Sequence, residues 1–143
     1  DVHQRGLLHR SIHLLVFNDS GELLMQKRSM KKDESPGKWC SSVAGHLDSG
    51  EAYDDCLVRE AKEEIGLELN SVPGKLFKIE AHEETGNEFT WVYHVTASGP
   101  FVFDPCEVTE LRWFKLKEVD RLIQEQEDSF SSSFLEVFRR LSR

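Results

Sequence analysis

Cysteine is too scarce in this chain, and too irregularly spaced, for a disulfide framework or a structural zinc site. Cys40, Cys56 and Cys106 are odd in number and form no CxxC pair. Reduced thiols fit a cytoplasmic setting, which is the expected location. No apolar run approaches the length of about 18 residues that a membrane-crossing helix needs, and no stretch reads as a signal peptide. The chain opens on Asp1 rather than Met, which leaves open whether a targeting segment precedes it. Basic charge is short as well: 18 Lys and Arg face 26 Asp and Glu, a formal charge of −8. Nucleic acid or an anionic membrane would be repelled, so neither is expected as a partner. Repeats, linkers and low-complexity segments are lacking, and 143 residues suit a single domain spanning 1–143 with a core of its own.

What the chain does have is concentrated between Gly45 and Leu67, GHLDSGEAYDDCLVREAKEEIGL. Glu51 to Ile65 contains no Pro or Gly, Ser49 or Gly50 can cap its start, and Gly66 stands where a helix would stop. At roughly 100° per residue, Asp54, Leu57, Val58, Ala61 and Ile65 gather on one side of that helix. Glu60, Glu63 and Glu64 gather on another, about a third of a turn round. The apolar side can pack on a sheet while three carboxylates project into a cleft. Such like charges repel by a few tenths of a kcal/mol per pair on an exposed helix (about that size in peptides). A divalent cation among them turns repulsion into attraction, and all-oxygen ligation suits Mg²⁺, Mn²⁺ or Ca²⁺. Arg59 lies near Glu63 on the wheel and can hold a carboxylate in place. Taken alone, EAKEE is more simply a solvated helical face.

The rest of the chain alternates strands and helices. Leu8 to Asn18 and Glu22 to Arg28 read as a hairpin about Asp19-Ser20-Gly21. Ser29 to Lys38 reads as a loop closed by Pro36-Gly37, and Trp39 to Val43 as a short strand leading to Gly45. Lys75 to Glu84 and Glu88 to Ala97 form a second expected hairpin, and Val108 to Lys115 a further strand. Lys117 to Gln126 and Phe130 to Leu141 carry helical periodicity. The interleaving predicts an α/β domain with a mixed sheet between helices.

Gly45, Glu51, Arg59, Glu60, Glu63, Glu64 and Gly66 together match the signature G-x5-E-x7-R-E-U-x-E-E-x-G-U, and on these residues the chain resembles the Nudix hydrolases. Only Ala61 departs from the pattern, at a place usually filled by a larger aliphatic. The resemblance implies an α/β/α sandwich with a mixed β-sheet between helices. It also implies metal-dependent cleavage of a diphosphate bond in a nucleoside di- or triphosphate or a related metabolite. On that reading Gly45, Glu60, Glu63 and Glu64 hold Mg²⁺ or Mn²⁺, with the Gly45 carbonyl as one ligand. Glu60 is the candidate general base, and Glu51 and Arg59 orient the carboxylates. The expected partner is a small-molecule diphosphate substrate, and the expected assembly a monomer or homodimer.

A second resemblance runs from Leu8 to Leu67. LHR, LLMQKRS, PGKW and SVAGH followed by GE look like type I isopentenyl-diphosphate isomerase, a relative on the same fold. That enzyme protonates a double bond with a Cys directly before the Gly-His pair, a place held here by Ala44. His9 and His46 match two of its metal-ligand histidines, His3 lies near another, and Glu107 falls near a carboxylate ligand. Cys40 stands four residues too early to substitute without moving the strand. The reading that follows is a hydrolase of the isomerase-like branch, with the isomerase and a non-catalytic nucleotide-binding module as alternatives. Several side chains carry plainer readings. His9, His13 and His46 are singly more often structural, and His13 suits a packed, hydrogen-bonded place on the sheet. Lys27 and Arg28 can meet a phosphate but strand-end cations are usually solvated, and Glu107 and Glu110 are possible outside ligands. Trp91 and Tyr93 can stack on a base, though core packing is the commoner role.

Overall fold

Alternation along HRSIHLLVF gives one strand two different faces. A computed structural model of the chain describes residues 9–32, 35–80 and 88–141, apart from the side chains of residues 9 and 88. In it this strand, β1 (His9–Phe17), turns Ile12, Leu14 and Val16 to one side of the sheet and Ser11, His13 and Leu15 to the other. The remaining elements are β2 (Leu23–Arg28), β3 (Trp39–Cys40), β4 (Val43–His46), α1 (Tyr53–Ile65), β5 (Gly74–Ile79), β6 (Glu88–Thr96), β7 (Val108–Phe114), α2 (Leu116–Gln126) and α3 (Ser132–Leu141). A 3₁₀ turn, Glu127–Ser129, joins the last two helices.

The seven strands form one mixed sheet in the order β3-β2-β1-β6-β5, with β4 paired to β1 and β7 paired to β2. β1 and β6 run parallel; every other pairing is antiparallel. On one face Ile12, Leu14, Val16, Leu24, Val43 and Tyr93 pack with Cys56, Leu57, Ala61 and Ile65 of α1. On the other, Leu15, Leu23, Met25 and Phe114 pack with Val119 of α2 and with Phe134, Val137 and Phe138 of α3. The α/β/α sandwich expected from the sequence is therefore the architecture found. No helix among the described residues is long and apolar enough to cross a membrane.

One detail of the sheet makes room for a site. β1 meets β2 only at Phe17↔Leu23; from there β2 continues beside β7 and β3, while the start of β1 pairs with β4. Where strands diverge, backbone groups lose their ladder partners and need others. Ser42 supplies one: its Oγ accepts from the Val16 N–H at 2.9 Å and donates to the Leu24 carbonyl, tying the two strands at the crotch of the split. The same divergence corrects one sequence expectation. Trp39 to Val43 is not one strand but two short pieces separated by Ser41 and Ser42, whose hydroxyls are spent on β1 and β2.

The start of α1 also differs. The helix begins at Tyr53 rather than Glu51, and its N-cap is Ala52, with no side-chain cap, rather than Ser49 or Gly50. Asp48 to Glu51 form a turn instead: the Glu51 N–H donates to the Asp48 carbonyl at 2.9 Å, and Gly50 takes a φ of 80°. Glu51 is drawn off by Arg59, as described below. The end falls where expected: Gly66 is left-handed, and the N–H groups of Gly66 and Leu67 return to Lys62 and Ala61. In the second hairpin β5 and β6 do pair, but β5 ends at Ile79, and residues 81–87 lie outside the description. Tyr93 is fully buried, as core packing required, and its hydroxyl donates to Asp54 at 2.7 Å, pinning the first turn of α1 to β6. Half-buried Trp91 carries the Lys75 ammonium 4.7 Å from its ring centre.

Candidate active site

The split in the sheet opens into a cavity of about 580 Å³, lined from β1, β2, β4, α1 and the start of α3. Gly45, Glu60, Glu63, Glu64, His46 and Glu107 all face it, so these sequence-picked residues share one wall system. Arg59 and Glu51 stand behind that wall. The Arg59 guanidinium donates twice to Glu51, Nε to Oε2 and Nη2 to Oε1, each at 2.9 Å. Its Nη1 donates to Glu60 Oε1 and, at 3.3 Å, to Glu63 Oε2, while Nη2 reaches the His46 carbonyl at 3.3 Å. A planar fork with five donors can hold this many acceptors at once; an ammonium cannot. The Arg59 hydrogen bond, joined by the Asp48 N–H, lowers the Glu51 pKa from about 4.5 to about 2. The same contact raises that of Arg59, whose charge is fixed.

Glu64 has the opposite environment. Its carboxyl is buried, and Oε1 accepts from the Gln26 amide at 2.7 Å and from the Ala44 N–H at 3.2 Å. Burial above all, then the hydrogen-bonded Glu60 carboxyl beside it, lifts its pKa well above the usual carboxylate range. Two carboxyls therefore touch on the cavity wall. Gly45 permits that contact: a β-carbon there would lie 2.2 Å from Glu60 Oε2. Any residue with a side chain would displace the carboxylate.

Do these groups suit a divalent cation? The donor set is hard oxygen, the like-charged pair is one that a cation would relieve, and Gly45 leaves its backbone within reach. Among the described residues, however, no three His, Cys, Asp or Glu side chains already surround one point. Arg59 draws Glu60 Oε1 and Glu63 Oε2 aside, and Glu63 is 59% exposed and able to swing. The residues fit such an ion in kind, with Glu60 and Glu63 turned toward their arginine.

The outlying candidates divide. His46 is exposed at the cavity edge. Glu107 also borders the cavity but is ion-paired with Lys32. Glu110 is bound to Arg112 at 2.7 Å and does not line the cavity. The backbone of His9 opens β1 opposite Glu88, whereas its side chain, like all of His3, lies outside the described residues. His13 is buried and its Nδ1 is 2.7 Å from Ser41 Oγ, the hydrogen-bonded place its plainer reading assigned. Cys40 is nearer the site than its sequence position suggested. The break at Ser41-Ser42 lets both Cys40 and Ala44 line the cavity, and burial raises the Cys40 thiol pKa. Sequence reasoning missed Gln26, Lys32, Ser11, Ser131 and Ser133 on that wall. Gln26 had one signal: a lone amide ending a buried run, LLMQ, in β2.

Comparison with known proteins agrees with this architecture. The family model described as NUDIX domain matches residues 7–137. The chain is similar to isopentenyl-diphosphate Delta-isomerase 2 of Photorhabdus laumondii, at 31% identity over 148 aligned positions covering 99% of this chain and 82% of that one. It is also 31% identical, over 119 positions, to an uncharacterized Nudix hydrolase of Pseudomonas aeruginosa, covering 80% of this chain and 68% of the relative. Among solved structures it is similar to DR0079 of Deinococcus radiodurans, with a TM-score of 0.85 and 26% identity over 94% of this chain and 83% of that one. With the signature on α1, the sheet between helices and a family match over most of its length, the chain belongs to the Nudix family, in its isopentenyl-diphosphate-isomerase-like branch.

Proposed function

We propose that the protein is a metal-dependent hydrolase of a diphosphate bond in a nucleotide-type or related small metabolite. The observation that carries this is the touching Glu60–Glu64 pair at the wall of a cavity that also bears Arg28 and Lys32. An acidic protein of charge −8 can take in a diphosphate only where positive charge is gathered locally. Gly45, Glu60, Glu63 and Glu64 are the residues that would hold Mg²⁺ or Mn²⁺. When bound, such an ion neutralises phosphate oxygens and lowers the pKa of water at phosphorus. The chain's own groups do the rest. Arg28 compensates phosphate charge from the cavity wall, Lys32 does so on exchanging Glu107 for a phosphate oxygen, and Gln26 with the Ala44 N–H fixes Glu64. Arg59 aligns Glu60, whose Oε2 stays beside Gly45 and is the acceptor for the proton of the attacking water. As the new P–O bond forms, the bridging P–O bond breaks and its electron pair leaves with the departing phosphate.

The test is phosphate release with Mg²⁺ or Mn²⁺ present. Glu60→Gln and Glu64→Gln are expected to lower the rate by roughly 10²- to 10⁴-fold. Full rate in both variants at saturating metal overturns the assignment. A second reading, isomerisation of isopentenyl diphosphate, is favoured by the protonated Cys40 thiol on the cavity wall and by the names of relatives such as the Photorhabdus protein. Ala44, at the position where the isomerase carries its cysteine, speaks against it. Deuterium entering isopentenyl diphosphate without phosphate release, and lost in Cys40→Ala, would establish this second reading; no exchange removes it.

A further inference from the structure

The cavity wall is unusual in what it lacks. The chain holds 3 Trp, 9 Phe and 2 Tyr, yet none of these rings lines the cavity. None of residues 1–9, 33–34, 81–88 or 142–143 is a Phe, Tyr or Trp either, so none of those could supply one. The cause is strand alternation at the end of the sheet. Trp39 and Cys40 are neighbours, as are Phe130 and Ser131, and Trp39 pairs with Phe130 across a short bridge. Cys40 and Ser131 turn into the cavity, while Trp39 and Phe130 turn into a separate hollow of about 270 Å³ with Phe114. The Trp39 ring there is already covered by Arg112, at 5.3 Å from its centre. Aliphatic groups are equally sparse: Ala44 and Val108 are the only aliphatic side chains among the described lining residues.

Hydroxyls take their place. Ser11, Ser35, Ser131 and Ser133 all face the cavity. Each hydroxyl offers one donor and two acceptor sites. Ser11 Oγ meets Thr90 Oγ1 at 2.7 Å; Ser131 Oγ accepts from the Phe134 N–H at 3.2 Å and lies 3.4 Å from Ser133 Oγ. A wall of this kind dehydrates neither an apolar chain nor a flat base to advantage, but it exchanges hydrogen bonds with an occupant that has hydroxyls of its own.

We propose that the group carried on the diphosphate is saturated and hydroxyl-rich, a sugar or other polyol, held by the serine-lined wall that includes Ser133. The proposal rests on the hydrolytic reading for where the diphosphate sits. In the reaction it implies, water adds to the terminal phosphorus, the bridging P–O bond breaks toward the inner phosphate, and the products are a sugar phosphate and inorganic phosphate. Three probes that share a diphosphate and differ in the attached group separate the choices: glucose 1-diphosphate, which is rich in free hydroxyls, adenosine diphosphate, which has fewer beside a flat base, and isopentenyl diphosphate, which has none. Calorimetry with Ca²⁺ reads binding, and phosphate release with Mg²⁺ reads turnover. Glucose 1-diphosphate is expected to bind at least about 10-fold more tightly than the other two, because a wall built to hydrogen-bond hydroxyls discriminates against partners with fewer of them. Ser133→Leu should erase most of that preference and Ser133→Thr should restore it. Equal or tighter binding of adenosine or isopentenyl diphosphate overturns the proposal, whether or not either is hydrolysed. Tight binding of glucose 1-diphosphate with no phosphate release upholds the occupant and sinks the hydrolytic reading. Binding of none of the three overturns both.

Discussion

A single methyl group at Gly45 would collide with the Glu60 carboxylate, and the cheapest relief is for that side chain to swing away. Gly45→Ala should therefore leave the melting temperature nearly unchanged while lowering phosphate release about 100-fold, the usual penalty for misplacing a reacting group by an ångström. Comparable loss of both would instead point to a packing role. Arg59→Lys keeps the charge but loses the fork that spans Glu51, Glu60 and Glu63. The expected outcome is a folded protein with weakened Mn²⁺ binding, read by calorimetry against the wild type. Glu51 supplies a pH test. Its folded pKa is depressed to about 2 by Arg59, so its contribution to stability is present above its ordinary pKa near 4.5 and fades as pH falls toward 2. The melting-temperature gap between wild type and Glu51→Gln should accordingly narrow across that interval and vanish at its acid end. A gap that stays constant with pH would mean that Glu51 acts through shape rather than charge.

Helix α1 was legible because its information is local. Apolar spacing, a terminal glycine and the charged positions all fall within one short stretch, and the helix end landed on Gly66. Its start was not legible, because the competitor for Glu51 is Arg59, a side chain two turns further along, and spacing alone does not say which contact wins. The break between β3 and β4 was hidden for a similar reason: Ser41 and Ser42 look like ordinary strand residues until β1 and β2 diverge and need their hydroxyls. That divergence can be probed. Ser42→Ala leaves the Val16 N–H and the Leu24 carbonyl without this partner in a buried place and should destabilise the fold by about 1–3 kcal/mol in urea titration. A loss below a few tenths would show that other groups can close the split.

Charge, cavity and family place the chain together. With eight more acidic than basic residues, the molecule repels the anions it is proposed to cleave, and the carboxylates of α1 would only deepen that repulsion if they stood alone. Gathering cations into one cleft resolves the contradiction. Several parts of that cleft come from residues far apart in sequence, among them Gln26 of β2, Glu64 of α1 and Ser131 ahead of α3. No local pattern in a single sequence reports such a meeting, which is why the carboxylate helix was found and the serine wall was not. The account depends on divalent ions being captured by Glu60 and Glu64, and Mn²⁺ binding measured directly tests it without assuming a substrate. Titrated by calorimetry, the wild type is predicted to bind Mn²⁺, with affinity reduced at least about 10-fold in Glu60→Gln and in Glu64→Gln. No Mn²⁺ uptake by the wild type even with a diphosphate compound present, or equal affinity in all three proteins, would contradict it.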